Sequence, residues 1–219
     1  MYKYETHFHT AEVSGCGKVG AEEGVRLYAE HGYHGIMITD HFYAWNKKLY
    51  PMWKDYIEFF LTGYRLAKKA GEKYGIDVLL GAEIRFDDHP NDYLSFGFDE
   101  NYLYNTENLM GMTLKQYKES IKDSDTVIFQ AHPFRVNCEI MPAEYLDGLE
   151  TFNGNPRHNS YNNAAEVYAK ENNLPGLSGS DFHQVMDLAR GGVLTEKKCV
   201  NGKELAFVIK NRKYKLITY

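Results

Sequence analysis

This chain of 219 residues has few cysteines, no excess of positive charge and no long apolar run, and each shortage closes off a class of function. Cys16, Cys138 and Cys199 are odd in number and widely scattered, so they suit neither a disulfide framework nor a CxxC zinc knuckle; a reducing cytoplasm is the expected setting. With 25 basic against 30 acidic residues the formal charge is −5, which gives no long-range pull toward polyphosphate or an anionic membrane. Nucleic acid is therefore not an expected partner. No stretch approaches the roughly 18 apolar residues that span a bilayer, and the start lacks a basic segment followed by an apolar core. No low-complexity linker divides the chain, which predicts one domain over residues 1–219, large enough to bury a sizeable core. The sequence carries no signal for an oligomeric state.

What the chain does have is histidine and acid at the ends of apolar runs. In Glu5-Thr6-His7-Phe8-His9-Thr10, an extended strand sends His7 and His9 to the same side, about 7 Å apart along the backbone. Two such rings can grip one metal ion. Ala21 to His31 reads as a helix with acidic residues in its first turn and Gly32 beyond its last. Gly35 to His41 is a short apolar run without polar alternation, as in a strand covered on both faces, and it ends in Asp40-His41. Asp55 to Tyr74 has helical spacing closed by Gly75, and the preceding aromatic loop with Trp45 and Trp53 is expected to be a lid or pocket wall.

The pattern then repeats. Asp77 to Glu83 is a buried strand ending in an acid; Tyr93 to Phe98 is another, with Asp99 at its end. Thr113-Leu114-Lys115-Gln116 is a capping box opening a helix, and Thr126 to His132 is a strand that Pro133 stops. Strands at Leu149–Asn153, Gly176–His183 and Tyr214–Tyr219 alternate with helices at Asn159–Asn172 and Lys203–Asn211. Strands alternating with helices argue for a parallel sheet, and about seven such units close a barrel, whose chemistry collects at the C-terminal ends of the strands. Asp40-His41, Glu83, His132 and Asp181-x-His183 all fall there. His31, His34 and His158 lie off these ends and are read as ordinary surface residues.

The ordered set His7-x-His9, Thr39-Asp40-His41, Glu83, Ala131-His132-Pro133 and Ser180-Asp181-x-His183 resembles the PHP family, named for polymerase and histidinol phosphatase. The resemblance spans most of the chain. It implies an α/β fold, a distorted seven-stranded TIM-like barrel, with a site for two or three divalent ions (zinc, manganese or iron) at the C-terminal strand ends. Carried over by position, His7, His9, Glu83 and Asp181 resemble the ligands of one ion. Glu83 with His132 resembles a second site, Glu83 bridging, and His41 with His183 resembles a third. Glu83, Asp181 and His183 are read as catalytic as well as ligating. Two places depart from the family pattern. A further histidine of the second site is missing, with Asp99 at the matching place and His89 the only histidine in the interval; where the third site has a His or Asp, this chain offers Cys16 or Glu12.

The resemblance implies hydrolysis of a small phosphomonoester, histidinol phosphate being one example, by a hydroxide bridging two ions. Arg135 and Arg190, close after His132 and His183, are the candidates to hold phosphate, with Arg85 and Arg157 behind them. Two other readings stand beside this one. Amidohydrolase-type C–N hydrolysis also uses HxH on a barrel strand, but often bridges its metals through a modified lysine. A non-catalytic metal-binding module, or a polymerase partner, is the third.

Overall fold

The apolar runs become strands of one sheet. In this computed structural model, which describes residues 1–219, the strands are β1 (Tyr2–Phe8), β2 (Gly35–Ile38), β3 (His41–Phe42), β4 (Asp77–Ile84), β5 (Tyr93–Phe96), β6 (Val127–Gln130), β7 (Gly148–Asn153), β8 (Gly176–Gly179), β9 (Gly191–Thr195) and β10 (Tyr214–Thr218). The helices are α1 (Ala21–Glu30), α2 (Ala44–Lys47), α3 (Trp53–Tyr74), α4 (Glu100–Asn105), α5 (Leu114–Ser120), α6 (Asn162–Glu171) and α7 (Gly202–Lys210). No helix is long and apolar enough to cross a membrane.

The sheet order is β10-β9-β1-β2-β4-β5-β6-β7-β8, with β3 beside β4. It curls until the segment after β8 meets β1: Phe8 bridges Phe182, Phe182 N donates to the His7 carbonyl at 3.1 Å, and His9 N donates to the Phe182 carbonyl at 3.0 Å. With β2 and β3 counted as one interrupted strand, seven strands from β1 to β8 surround the axis. This is the distorted, nearly closed TIM-like barrel that the sequence leads one to expect.

Among the seven barrel strands one breaks the parallel pattern, as β9 does outside them by running antiparallel to β1 and β10. β5 is antiparallel to both β4 and β6, pairing Glu83 with Leu94 and Ile84 with Tyr93. The cause is connection length: only Arg85 to Asp92 separate β4 from β5, too few for a crossover, which needs a dozen residues or more. β9 and α4 are further elements that the sequence pattern does not announce. The capping box at Thr113 and Gln116 forms as expected.

Apolar packing closes the far end of the barrel. Leu205, Ala206 and Ile209 of α7 bury with Tyr4, Met37, Leu79 and Phe129, while α1 and α3 pack outside against Phe8, Ile36 and Phe42. Tyr4 and Phe8 would share a face of a regular strand, yet they belong to different clusters. The register shift between Glu5 and Phe8 accounts for this, since one irregularity swaps the faces of everything beyond it. Trp53 begins α3, buried, with Nε1 donating to the Leu103 carbonyl at 2.8 Å; only Trp45 stays exposed in the role expected for both. In α3, Gly63 permits close approach, because a Cβ there would lie 2.2 Å from Thr10 Oγ1 and 2.5 Å from Asp40 Oδ2.

Candidate metal centre

The strand ends bring His41, Glu83, His132, Asp181 and His183 to the lining of one cavity of about 330 Å³ at the C-terminal mouth of the barrel, with His7 and His9 fully buried against Glu83 and Asp181. His7 Nε2 lies 3.3 Å from Glu83 Oε1 and 3.5 Å from Asp181 Oδ1. His9 Nε2 is 3.6 Å from Glu83 Oε2 and 3.6 Å from Asp181 Oδ1, and His132 Nε2 is 3.2 Å from Glu83 Oε1. Glu83 therefore sits at the middle of the group. Three sets of donor atoms lie within 4.8 Å of one another: His7, His9 and Asp181; His9, His41 and His183; Glu83, Asp92 and His132.

Hydrogen bonding fixes which nitrogen faces inward. Ser14 Oγ has one hydrogen, and Asp40 Oδ1 takes it at 2.7 Å; His9 Nδ1, 3.1 Å from the same oxygen, must then donate. That leaves His9 Nε2 bare. His7 Nδ1 likewise donates to Glu150 Oε1 at 2.8 Å and turns Nε2 toward the two carboxylates. His7 Nε2, His9 Nε2 and His41 Nδ1 are buried without a hydrogen-bond partner, the last being 2.7 Å from Glu83 Oε2 but out of line with it. Burying a polar nitrogen unpaired costs about 1–3 kcal/mol. A cation shared among these nitrogens and the neighbouring carboxylates satisfies them together, so the donor set fits divalent metal.

The charges agree. Burial opposes ionisation of Glu83, but His7, His41 and His132 outweigh it and hold the carboxyl well below its ordinary value. Asp181 is held down in the same way by His7, His183 and Arg135. Burial also opposes the charge on His7, which Glu150, Asp181 and Glu83 together push well above the usual imidazole range. His9 goes the other way: burial, then His183 and His41, keep it neutral.

Residues 5–191 match the family described as the PHP domain. The chain belongs to the PHP domain family. No curated protein matches this PHP chain, but solved structures share its fold. A two-domain protein from Bacteroides vulgatus containing a predicted PHP-like metal-dependent phosphoesterase superposes at TM-score 0.68 and 19% identity; the alignment covers 100% of this chain and 65% of that one, so this chain spans about two thirds of that length. PsfC from Pseudomonas syringae aligns at TM-score 0.69 and 13% identity over 100% of this chain and 91% of its own. An amidohydrolase from Chromobacterium violaceum, with bound sulfate and no metal, aligns at TM-score 0.53 and 15% identity over 82% of this chain and 87% of its own.

Against the PHP pattern, the structure moves several residues named from the sequence. Asp99 is not at the centre: it caps α4, accepting from Tyr102 N at 3.0 Å, on exposed surface. His89 pairs with Glu139 at 3.4 Å. Because β5 runs backwards, its first end faces the cavity, and Asp92 just before it joins Glu83 and His132. Arg85 grips Asp92 with Nε and Nη2, both at 2.8 Å, and Tyr43 Oη donates to it at 2.8 Å. Glu12 is likewise spoken for, accepting at both oxygens from Ala21 N at the start of α1, whereas Cys16 Sγ is 3.1 Å from His41 Nε2. Arg135 lines the cavity; Arg190 does not, its Nε donating to the Met186 carbonyl at 3.3 Å. Arg85, Arg157 and His158, given less weight above, do line it. Glu150, which holds the His132 amide at 2.8 Å as well as His7, escapes sequence reading because it lies inside a strand rather than at its end.

Proposed function

We propose that this chain is a metal-dependent phosphoesterase acting on a small phosphomonoester. The observation that carries the reading is the convergence of buried, unpartnered imidazole nitrogens with Glu83 and Asp181, beside an arginine that still has a donor to give. His7, His9 and Asp181 with Glu83 would hold one ion, Glu83, Asp92 and His132 a second, and His41 with His183 a third. Divalent ions in such a set offset the charge on phosphoryl oxygens and acidify water toward neutral pH.

The chain's own residues do the rest. Of the arginines around the cavity, Arg85 is bound at Nε and Nη2 by Asp92, and Arg157 at Nε and Nη2 by Asp187. Arg135 commits only Nη2, to Asp181 at 2.9 Å, Asn153 at 3.1 Å and Ser160 at 3.1 Å, while its buried Nε has no partner. Those anchors fix the guanidinium plane, so Arg135 is the group to orient a phosphate. Tyr43 and Trp45 wall the cavity beside Arg85 and would flank the leaving group.

An amidohydrolase-type reaction is favoured less, because no lysine lines the cavity and Glu83 occupies the bridging place. The test is elemental analysis of the metal-replete protein followed by a panel of phosphomonoesters and neutral amides, on the natural chain and on Arg135→Lys. At least two ions per chain and phosphate release are expected, with Arg135→Lys losing roughly tenfold or more, because a point charge cannot reproduce a planar fork. Amide cleavage without phosphate release, indifferent to Arg135→Lys, would overturn the reading.

A further inference from the structure

The third donor group is short of one ligand. His9 belongs to two clusters at once, with His7 and Asp181 and with His41 and His183. When the carboxylate pair Glu83 and Asp181 engages His9, only the His41 and His183 imidazoles remain for an ion on their side, and a closed protein site takes three or four donors. Two nearby residues have the right chemistry. Glu12 is ruled out by its two hydrogen bonds from Ala21 N, at 3.1 and 3.0 Å, which tie it to the first turn of α1. Cys16 remains.

We propose that Cys16 is a metal ligand, its thiolate completing a sulfur-containing site with His41 and His183 on one flank of the centre. Sγ stands 3.1 Å from His41 Nε2 and against the His183 ring. The thiol is exposed while the imidazoles behind it are largely buried, so an ion entering from the cavity mouth meets the sulfur first. Independently of the cysteine, His9 Nε2 is fully buried, stripped of its proton by the Ser14 contact and unpartnered, and it lies within 4.8 Å of donor atoms of both groups, so its single lone pair serves one ion and leaves the other group a ligand short. Gly15 and Gly17 flank Cys16 in the loop after β1, and Asp40 holds that loop through Thr10 N, Thr10 Oγ1 and Ser14 Oγ, each at 2.7 Å. The sulfur is thus presented by a braced turn.

Sulfur changes which ion the site takes. Thiolate and imidazole together select borderline ions such as zinc, cobalt(II) or iron(II), whereas a manganese or magnesium ion prefers the carboxylates of the Glu83–Asp92–His132 group. As the metal–sulfur bond forms, the thiol proton leaves to solvent. The inference rests on the metal-centre reading above and narrows one of its sites.

The test loads chelator-stripped protein with cobalt(II) and records the near-ultraviolet and visible spectrum. A thiolate-to-cobalt charge-transfer band is expected in the natural chain and in Cys138→Ser, and its complete loss in Cys16→Ser, while the weaker ligand-field bands of the remaining sites persist. Cys16→Asp should bind cobalt without the band and gain in manganese uptake relative to zinc. Mass spectrometry after alkylation supplies a second readout: zinc should protect Cys16 at least tenfold, and manganese should not. A protein that binds cobalt or zinc but shows no charge-transfer band, keeps it in Cys16→Ser, or alkylates equally with and without zinc would overturn the assignment and leave the metal centre standing. A protein that takes up no metal under any loading would instead sink both.

Discussion

On one flank of the cavity three imidazoles crowd together, the ring of His9 lying 4.4 Å from that of His41 and 4.2 Å from that of His183. On the other, the carboxylates of Glu83 and Asp92 meet a single imidazole, His132. The nitrogen flank is borne on the loop after β1, the β3 strand and the turn after β8; its central imidazole is kept neutral by burial and by its neighbours. The oxygen flank is built where a reversed strand starts, and Arg85 and Tyr43 brace it from behind. Crowded imidazole nitrogen suits borderline ions and paired carboxylates suit hard ones, so one cavity presents two unequal donor groups. Glu83 is the residue that both flanks touch, through His41 and His9 on one side and His132 on the other.

Removing that shared residue should erase the comparison. Glu83→Ala strips a carboxylate from the middle of both groups, so ions should be lost from both and kcat/KM for a phosphomonoester should fall by three or more orders of magnitude, about 4 kcal/mol of transition-state stabilisation. His34→Ala is the matched control: His34 is exposed and accepts from Lys3 N at 3.2 Å, and its loss should change neither metal content nor rate. Elemental analysis and initial rates read both. Equal activity in the two variants would mean that the centre is elsewhere.

A smaller change sharpens the contrast by acting on the oxygen flank alone. Asp92→Asn keeps the shape and removes the charge, leaving Arg85 without its counter-ion; the ion held with Glu83 and His132 should bind about 10–100-fold more weakly, and the nitrogen flank should be spared. Asp99→Asn should be silent, since Asn caps a helix as well as Asp does, with stability within about 0.5 kcal/mol of the natural chain. Calorimetric titration with manganese and then zinc distinguishes the flanks. A loss in Asp99→Asn equal to that in Asp92→Asn would restore the strand-end assignment.

That pair also shows where sequence reasoning stops. His7, His9, His41, Glu83, His132, Asp181 and His183 are legible because an apolar run ending in a polar residue marks the mouth of a parallel strand. The same rule misplaces the site at Asp99 because it presumes a direction, and only the eight residues between β4 and β5, too few for a crossover, betray the reversal. Arg190 looked as well placed as Arg135, and their separation depends on how the loop after β8 returns toward β9, which no local pattern encodes. The sequence offers Cys16, with Glu12 as the alternative should the loop fold otherwise, and the start of α1 claims the carboxylate.

The smallest effect expected is a count of protons, and it tests the charge side of the comparison. Burial disfavours charge on His41 and His132, yet Glu83 and the nearby thiols Cys16 and Cys138 raise both to about 10. His7 and His183 are also raised, whereas His9 is lowered. Imidazoles raised in this way hold their protons at neutral pH unless an ion displaces them, and an ion can bind only the deprotonated ring. Metal binding at pH 7 must then release protons, and affinity must weaken as pH falls, because each proton added is one more to displace. His9 contributes nothing to that count. Titrating the stripped protein with zinc in two buffers of different ionisation enthalpy measures the number directly: more than one proton per chain is expected, fewer in His7→Gln, which removes a raised imidazole, and the same in His31→Gln, an exposed histidine whose Nδ1 lies 2.8 Å from the Leu27 carbonyl. Binding that exchanges no protons would show that the carboxylates fail to hold charge on these rings, and the electrostatic contrast between the flanks would fall with it.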